Sequence, residues 1–351
     1  MKILFFSRLF YPHIGGVEKH VKEISKILIE KGHDVTILTE KFDKSLQDSE
    51  IINSIKIIRI DNGKDDWFKK FRVWINVWNN RKLIIDADII HAHDVFFWFL
   101  PFRLLFLTKK IFVTFHGYEG NNIPNLKSKL MHKMAEKLSN GNICVGDFLK
   151  KWYGTKPDYV TYGGVDTIQN SLLRQGFGGQ AKYKVLFIGR LEEETGIMEY
   201  LKALKELQKK KYKFEIVILG DGSLRKNAEK FVLENKIKAV FKGFVKEVNN
   251  YISNCDFVFA SRYLGILESL AFKKFVFAHY NNSIKKDYLE MAPFANFISI
   301  AADYKQLSLS IEHFFKNERE RKNMIDNGYR WVKDKTWENL VNIYMNLWGK
   351  S

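Results

Sequence analysis

Four stretches of this sequence combine residue types that do chemistry on anions and hydroxyls. SRLFYPHIGG (7–16) closes an apolar run on Gly15 and Gly16, just before an amphipathic stretch starting near Val17. Backbone N–H groups at a helix start behind a Gly turn can approach a phosphate closely, although a Gly pair before a helix is common. HAHD (91–94) and TFHG (114–117) are polar clusters at the carboxyl ends of two apolar runs, the edge where open parallel sheets bind ligands. His116 there suits hydrogen bonding to a substrate hydroxyl or stabilising charge on a leaving group; the alternative is a purely structural histidine. FIGRLEEETG (187–196) repeats the strand, Gly turn and helix start, and its Arg190 suits a bidentate grip on a diphosphate. Gly220 and Gly222, in GDG, form a further turn that leaves room for a ligand. In ASRYLGILESLA (260–271), Glu268 falls one turn into a helix whose first turn is predicted over 264–267. The start of that helix suits a phosphate and the carboxylate suits ribose hydroxyls. The apolar neighbours Leu264, Ile266, Leu267 and Leu270 argue against a solvated helix face.

The elements that must position these residues follow a repeating scheme. ILFF (3–6), VTIL (35–38), IKIIRI (55–60), ADIIHAH (87–93), IFVTFH (111–116) and NICV (142–145) are short apolar runs separated by helix-length segments. Such runs predict buried parallel strands in βα units. The scheme restarts with KVLFIG (184–189), FEIVILG (214–220), AVFKG (239–243) and DFVFA (256–260), with helices expected over 196–211, 222–235 and 246–253. Two successive arrays imply two doubly wound α/β lobes. We expect lobes over 1–168 and 184–334, an interdomain linker or inserted segment over 169–183, and a C-terminal helix over 335–351 crossing back to the first lobe. The Gly-rich 170–183 stretch is not a P-loop, because no Gly-Lys-Ser/Thr follows.

Length and composition fit two globular cores, with 351 residues and 46% apolar content. The net charge of +17 favours anionic partners; surface lysines of an AT-rich genome explain it equally well. Cys144 and Cys255 fall in different halves of the chain, which excludes a disulfide framework and metal-ligand spacing and fits a reducing cytoplasm. The opening MKILFFSRLFYP does not read as a secretory signal, and no apolar run is long enough to span a bilayer. One helix, expected over 66–83, aligns Trp67, Phe71, Trp74 and Trp78 on one face among Lys69, Lys70, Arg72, Arg81 and Lys82. That pattern fits contact with an anionic membrane, or an ordinary helix packing its aromatic face on the sheet. Nucleic-acid binding rests on charge alone and is not expected.

Taken in order, the motifs resemble the GT-B glycosyltransferases, in particular the retaining family 4 type. The resemblance runs from GGVEKHVKEISKILIEKGHDVTIL through IIHAHD, TFHG and TYGGVD (161–166) to FIGRLEEETG, ILGDGS, FKGFV and the ILESLA helix. It implies two Rossmann-like lobes facing across a donor cleft, and transfer of a hexose-type sugar from a UDP- or GDP-linked donor to a polysaccharide or lipid-linked acceptor, retaining configuration. No metal and no cofactor are implied. By position, Arg190 would bind the diphosphate, Glu268 the ribose, Phe244 and Val245 the base, and the amides of Leu264 and Gly265 the phosphates. Gly15 and Gly16 would face the diphosphate from the other lobe, and His116 would touch the transferred sugar.

Two positions depart from the family pattern. Thr195 stands where a second clamp cation, a lysine, is usual, and Ala260 where counting back eight from Glu268 should give a first glutamate. Arg262, beside Ser261, is placed to restore the lost charge, and Thr195, Ser261 and Arg262 are all expected among the donor-binding residues. These departures leave a catalytically impaired donor-binding or scaffold protein as the alternative, with a sugar-nucleotide epimerase of similar architecture behind it. We expect a cytoplasmic protein at the inner face of the membrane, in polysaccharide biosynthesis.

Overall fold

The apolar runs become parallel strands because a chain buried on both faces needs hydrophobic side chains at every position. The computed structural model describes residues 1–117, 123–166 and 182–349, which form two units. The first unit runs from Met1 to Tyr162 and takes back the chain from Trp337; the second spans Gly163–Thr336.

In the first unit the strands are β1 (Lys2–Ser7), β2 (Asp34–Glu40), β3 (Ser49–Ile52), β4 (Ile55–Ile60), β5 (Ile89–His93), β6 (Lys110–Phe115), β7 (Asn142–Val145) and β8 (Tyr159–Thr161). They lie in the order β3-β4-β2-β1-β5-β6-β7-β8, parallel except for β3 against β4. The order reverses between β1 and β5, so the chain's topological switch point lies at Ser7 and His93, paired in register. Helix α1 (Gly16–Glu30) follows β1; α2 (Lys69–Asn79) and α3 (Arg81–Asp86) precede β5; α4 (Leu126–Leu138) and α5 (Phe148–Tyr153) come later.

The second unit repeats the plan. Its strands are β9 (Tyr183–Ile188), β10 (Phe214–Leu219), β11 (Ala239–Gly243), β12 (Phe257–Phe259), β13 (Phe275–His279) and β14 (Ser299–Ala301), in the order β11-β10-β9-β12-β13-β14, all parallel. Here the switch point lies between β9 and β12. The helices are α6 (Ile197–Lys209), α7 (Arg225–Glu234), α8 (Val248–Asn254), α9 (Tyr263–Ala271), α10 (Ser283–Glu290), α11 (Tyr304–Lys316) and α12 (Glu318–Val332). Tyr200 of α6 stacks on Phe259 of β12 at 4.5 Å, and both are fully buried. Each such side chain contributes about 1.5–3 kcal/mol of burial.

The last helix, α13 (Trp337–Gly349), belongs to the first unit. Its buried residues Trp337, Leu340, Val341, Tyr344, Leu347 and Trp348 recur at helical spacing and pack on α1, whose inward face is His20, Val21, Ile24, Ser25 and Leu28.

Several expectations change. The helix expected over 66–83 is two helices, broken at Asn80, which ends α2 and begins α3. Its buried residues are Val73 and Val77, not the aromatics: Phe71 and Trp78 stay exposed, and Trp74 is half-buried with its Nε1 donating to Phe97 O at 2.9 Å. Lys69 and Arg72 are held in ion pairs with Glu40, Asp65 and Asp66, leaving Lys70, Arg81 and Lys82 as the exposed cations. Tyr183, expected in the linker, is the first residue of β9; residues 169–181 of that linker lie outside the described residues. Strands β3, β8, β13 and β14 carry no expectation above, since three or four residues make a weak pattern and β13 follows a helix without a turn signal.

Candidate active site

Each unit carries a polar cluster at the carboxyl end of its sheet. In the first unit it is built from histidines on three elements: His20 on α1, His91 and His93 on β5, and His116 just beyond β6. His93 Nδ1 lies 2.8 Å from His116 Nε2, and the His20 ring stands edge-on to His116 at 4.6 Å between centroids. Asp94, in the left-handed region at φ 63°, fixes the start of the His116 loop. Its amide donates to Thr114 O and its carboxylate accepts the His116 N–H at 2.8 Å.

A directed hydrogen-bond chain runs behind this cluster. Trp348 Nε1 is only a donor and reaches His91 Nδ1 at 3.1 Å. Neutral His91 therefore carries its hydrogen on Nε2 and donates to Thr114 Oγ1 at 2.7 Å. Thr114 lies 2.9 Å from Tyr344 Oη, which lies 2.8 Å from His20 Nε2. Burial pushes the Tyr344 phenol up and His20 down to about 3, so Tyr344 keeps its proton and donates to His20 Nε2. His20 then carries its own hydrogen on Nδ1. Burial also holds His91, His93 and His116 well below 6.5, helped by their mutual repulsion. All four imidazoles are neutral near pH 7. His116 consequently acts as a hydrogen-bonding group and supplies no positive charge.

His20, His93 and His116 bring ligand-type nitrogens within 4.8 Å of one another. Around tetrahedral zinc such nitrogens stand roughly 3.3 Å apart, given Zn–N bonds of ~2.0–2.1 Å. At 2.8 Å, His93 Nδ1 and His116 Nε2 share a hydrogen bond and do not fit one ion through those atoms. No metal-type spacing is legible along the chain here, because the three residues come from separate elements. His20 and Tyr344 were missed for the same reason.

In the second unit the two strands flanking the switch point deliver two arginines. Arg190 follows β9 and Arg262 follows β12. Arg190 Nη2 lies 2.6 Å and Arg262 Nη2 3.4 Å from the same Oε1 of Glu194. Thr195 is 2% exposed, and its hydroxyl is committed to the carbonyls of Arg190 and Glu192 at 2.5 and 2.8 Å. The expectation that it meets a ligand is corrected: it shapes the loop that carries Arg190. Ser261 is likewise buried, with its hydroxyl on Tyr200 Oη at 2.7 Å and on the His279 amide at 3.0 Å. It too supports the site from beneath.

Helix α9 begins at Tyr263, one residue before the expected Leu264, with Arg262 as N-cap. The Tyr263 amide donates to Tyr288 Oη, and Leu264 and Gly265 follow it in the first turn, where amides have no intrahelical acceptor. Glu268 is buried on the same helix. Gly163 of TYGGVD, at φ 109°, packs on Leu264; a Cβ there would stand 2.7 Å from Leu264 Cδ2. Gly220, at φ 126°, lies so close to β9 that a Cβ would meet Gly189 O at 1.9 Å. Gly222 is as tightly placed, 2.6 Å from Leu191 O by the same measure. Both glycines hold the Arg190 loop. Phe244 is exposed and Val245 half-buried beyond β11. In the first unit Gly15 is the N-cap of α1 and Gly16 its first residue, with Glu18 folded back to His13 at 2.7 Å.

Two doubly wound units, each with a polar cluster at its switch point, and a terminal helix returned to the first unit, define the GT-B class. The family model for Glycosyltransferase Family 4 matches residues 14–169, and that for Glycosyl transferases group 1 matches 173–331. The chain belongs to the GT-B glycosyltransferases of the family 4 type. An uncharacterized glycosyltransferase of Methanocaldococcus jannaschii, MJ1178, is 26% identical over 360 residues, covering 97% of this chain and 96% of that protein. Among solved structures, sucrose-phosphate synthase from Thermosynechococcus elongatus superposes with a TM-score of 0.79 at 15% identity, covering all of both chains. Anabaena HepE, in complex with UDP and glucose, gives 0.71 at 15% identity, over 99% of this chain and 98% of that one.

Proposed function

We propose that this glycosyltransferase moves a hexose-type sugar from a UDP- or GDP-linked donor to a lipid-linked or glycan acceptor, with retention of configuration and without a metal. The observation that carries the donor half is the arginine pair on Glu194. Two guanidinium groups converge where a parallel sheet binds ligands, and a diphosphate matches both their charge and their fork geometry. The UDP and glucose bound by HepE, a structural neighbour, support the same donor class.

The division of labour follows from placement. Arg190 and Arg262 hold the diphosphate and stabilise it as it leaves. The α9 amides of Leu264 and Gly265 add the positive end of a helix dipole, and Glu268 accepts the ribose hydroxyls. Phe244 and Val245 contact the base. His116, neutral and backed by His93, hydrogen-bonds the sugar. Positioning and electrostatic stabilisation supply the catalysis. Arg262 answers for the lysine missing at Thr195, which favours an active enzyme over an impaired one.

The acceptor half rests on α2 and the two residues before it. Trp67 is 77% and Ile75 59% exposed, with Phe68, Phe71 and Trp78 also outward. Trp78 stacks on Phe102, and Leu104, Leu105 and Leu107 continue the exposed apolar surface. With Lys70, Arg81 and Lys82 beside it, this surface suits an anionic membrane at the cytoplasmic face and a lipid-linked acceptor. No described helix is long and apolar enough to cross a bilayer.

A thermal-shift screen against UDP-, GDP- and ADP-sugars tests the donor class, since a ligand bound only by the folded state raises its stability. Stabilisation by a UDP- or GDP-sugar is expected; none from any sugar nucleotide overturns the reading. NMR of the product from the stabilising donor reports the anomeric configuration, and an inverted product overturns retention.

A further inference from the structure

Thr195 removes a cation from the family's pattern, and the second unit holds another cation close to the arginine pair. Lys285 lies in the first turn of α10, its amide capped by Asn282 Oδ1 at 2.8 Å. Its side chain is completely buried. Nζ donates to Ser261 O, the carbonyl directly before Arg262, and stands 4.4 Å from the centroid of the Tyr288 ring. The Arg262 guanidinium lies 6.0 Å from that same ring. An ammonium has three N–H donors; one carbonyl and one ring face leave its charged form short of partners.

The charged groups acting on Lys285 come from three elements. Burial is the first cause and pushes its pKa well below 10.5. Arg262 lowers it further, Glu194 raises it, and Arg190 lowers it. His279, at the end of β13, is also in electrostatic range, and burial keeps that imidazole below 6.5. The balance at Lys285 thus depends on what occupies the space between Arg190 and Arg262.

We propose that Lys285 is a proton-accepting positioning residue for the diphosphate: fully buried, with one carbonyl and one ring face as its partners, it takes up one proton when a sugar nucleotide displaces the Glu194 carboxylate from Arg190 and Arg262. This rests on the nucleotide-sugar reading above. In the free protein, two guanidinium groups and one carboxylate leave a single net positive charge. A sugar-linked diphosphate carries two negative charges, so putting it in place of Glu194 takes the pair from one net positive charge to zero and favours protonation of the nearest buried base. The proton comes from solvent and adds to the Nζ lone pair; no bond of the donor breaks. The ammonium then holds the Ser261 carbonyl more firmly and, through that peptide, the Arg262 guanidinium.

Linkage fixes the sign. Donor affinity is constant below the pKa of free Lys285. It falls tenfold per pH unit between that pKa and the higher one in the complex. Calorimetric titration of the full chain with UDP-glucose and GDP-mannose, whose diphosphates do not titrate near neutrality, tests this. Run at about pH 7.5 in two buffers of different ionisation enthalpy, it reads the protons exchanged. About one proton taken up per donor bound is expected in the wild type. K285M, an apolar replacement of similar length, should bind roughly tenfold more weakly and take up none. A role confined to packing would weaken binding and leave the proton count unchanged. Binding without proton uptake overturns the Lys285 inference and leaves the nucleotide-sugar reading standing. Uptake that persists in K285M overturns it as well. Should K285M not fold, the wild-type affinity profile from about pH 6.5 to 9.5 decides, a flat one being contrary. Failure of both sugar nucleotides to bind removes the donor reading and the inference with it.

Discussion

Arg190 and Arg262 leave the two strands on either side of the second unit's switch point and meet on one oxygen of Glu194. Like charges converge only where something negative holds them. In the free protein Glu194 is that group; under the proposed function a diphosphate would compete for the same place with more charge and more acceptor oxygens. The pair also shows how the fold answers Thr195: a cation 67 residues further along the sequence arrives where the loop's own lysine is missing.

Arg190→Ala removes the more exposed arm of this clamp. We expect a loss of kcat/KM on the order of 10²-fold, as for other groups that stabilise developing charge, with little change in melting temperature. E194Q removes the competing anion and should tighten UDP binding several-fold in calorimetry. Unchanged or weaker binding in E194Q would show that Glu194 orients the arginines and does not occupy the anion's place.

Tyr344→Phe cuts the hydrogen-bond chain between Thr114 and His20 without changing the ring. A buried acceptor, His20 Nε2, loses its donor, which costs about 1–3 kcal/mol. Urea denaturation should show that loss as a lower midpoint with an unchanged slope.

Acid should destabilise the first unit through its histidines. His20 is held at about 3 by burial and returns to 6.5 in the unfolded chain, so protonation favours unfolding. Its contribution is whole above about pH 6.5 and is lost as pH falls toward 3, at about 1.4 kcal/mol per unit. His91, His93 and His116 shift in the same direction. Melting temperature should fall steeply between pH 7.5 and 5.5, and H20Q, which keeps an acceptor for Tyr344, should fall less steeply.

Gly220→Ala should be among the most damaging single changes. It combines a φ of 126° with a Cβ 1.9 Å from a backbone oxygen of β9, and backbone cannot yield as a flexible side chain can. A loss of several kcal/mol is expected by denaturation. Gly222→Ala lacks the positive φ and should cost less.

Replacing Trp67, Phe71 and Ile75 together by Ala tests the membrane surface. These side chains are exposed, so folding stability should stay within about 0.5 kcal/mol per site. Co-sedimentation with vesicles rich in phosphatidylglycerol at low salt should drop sharply. Equal sedimentation of variant and wild type would remove the membrane reading.

Much of this was legible in the residues. IKIIRI and NICV are strands with the bounds read from the sequence, because continuous burial demands continuous apolar side chains. Gly15-Gly16 before α1, and Arg190 directly after a strand, were visible because turn and charge are local properties. The aromatic face over 66–83 was visible as a pattern. Its direction was not, since Val73 and Val77 and the rings compete for the sheet and only packing settles which face wins.

The sequence by itself determined two βα arrays, the strand ends that carry polar residues, and a family pattern with one cation and one glutamate missing. Tertiary structure decided which distant residues share one environment. His20, His93, His116 and Tyr344 are separated by up to 324 positions, and no local spacing announces them. Their burial makes them neutral, which changes what His116 does. Thr195 turned inward and Arg262 turned toward Glu194 are likewise outcomes of packing. Periodicity encodes which side of an element is buried; charge state and convergence depend on the neighbours that burial brings, and those exist only in the folded chain.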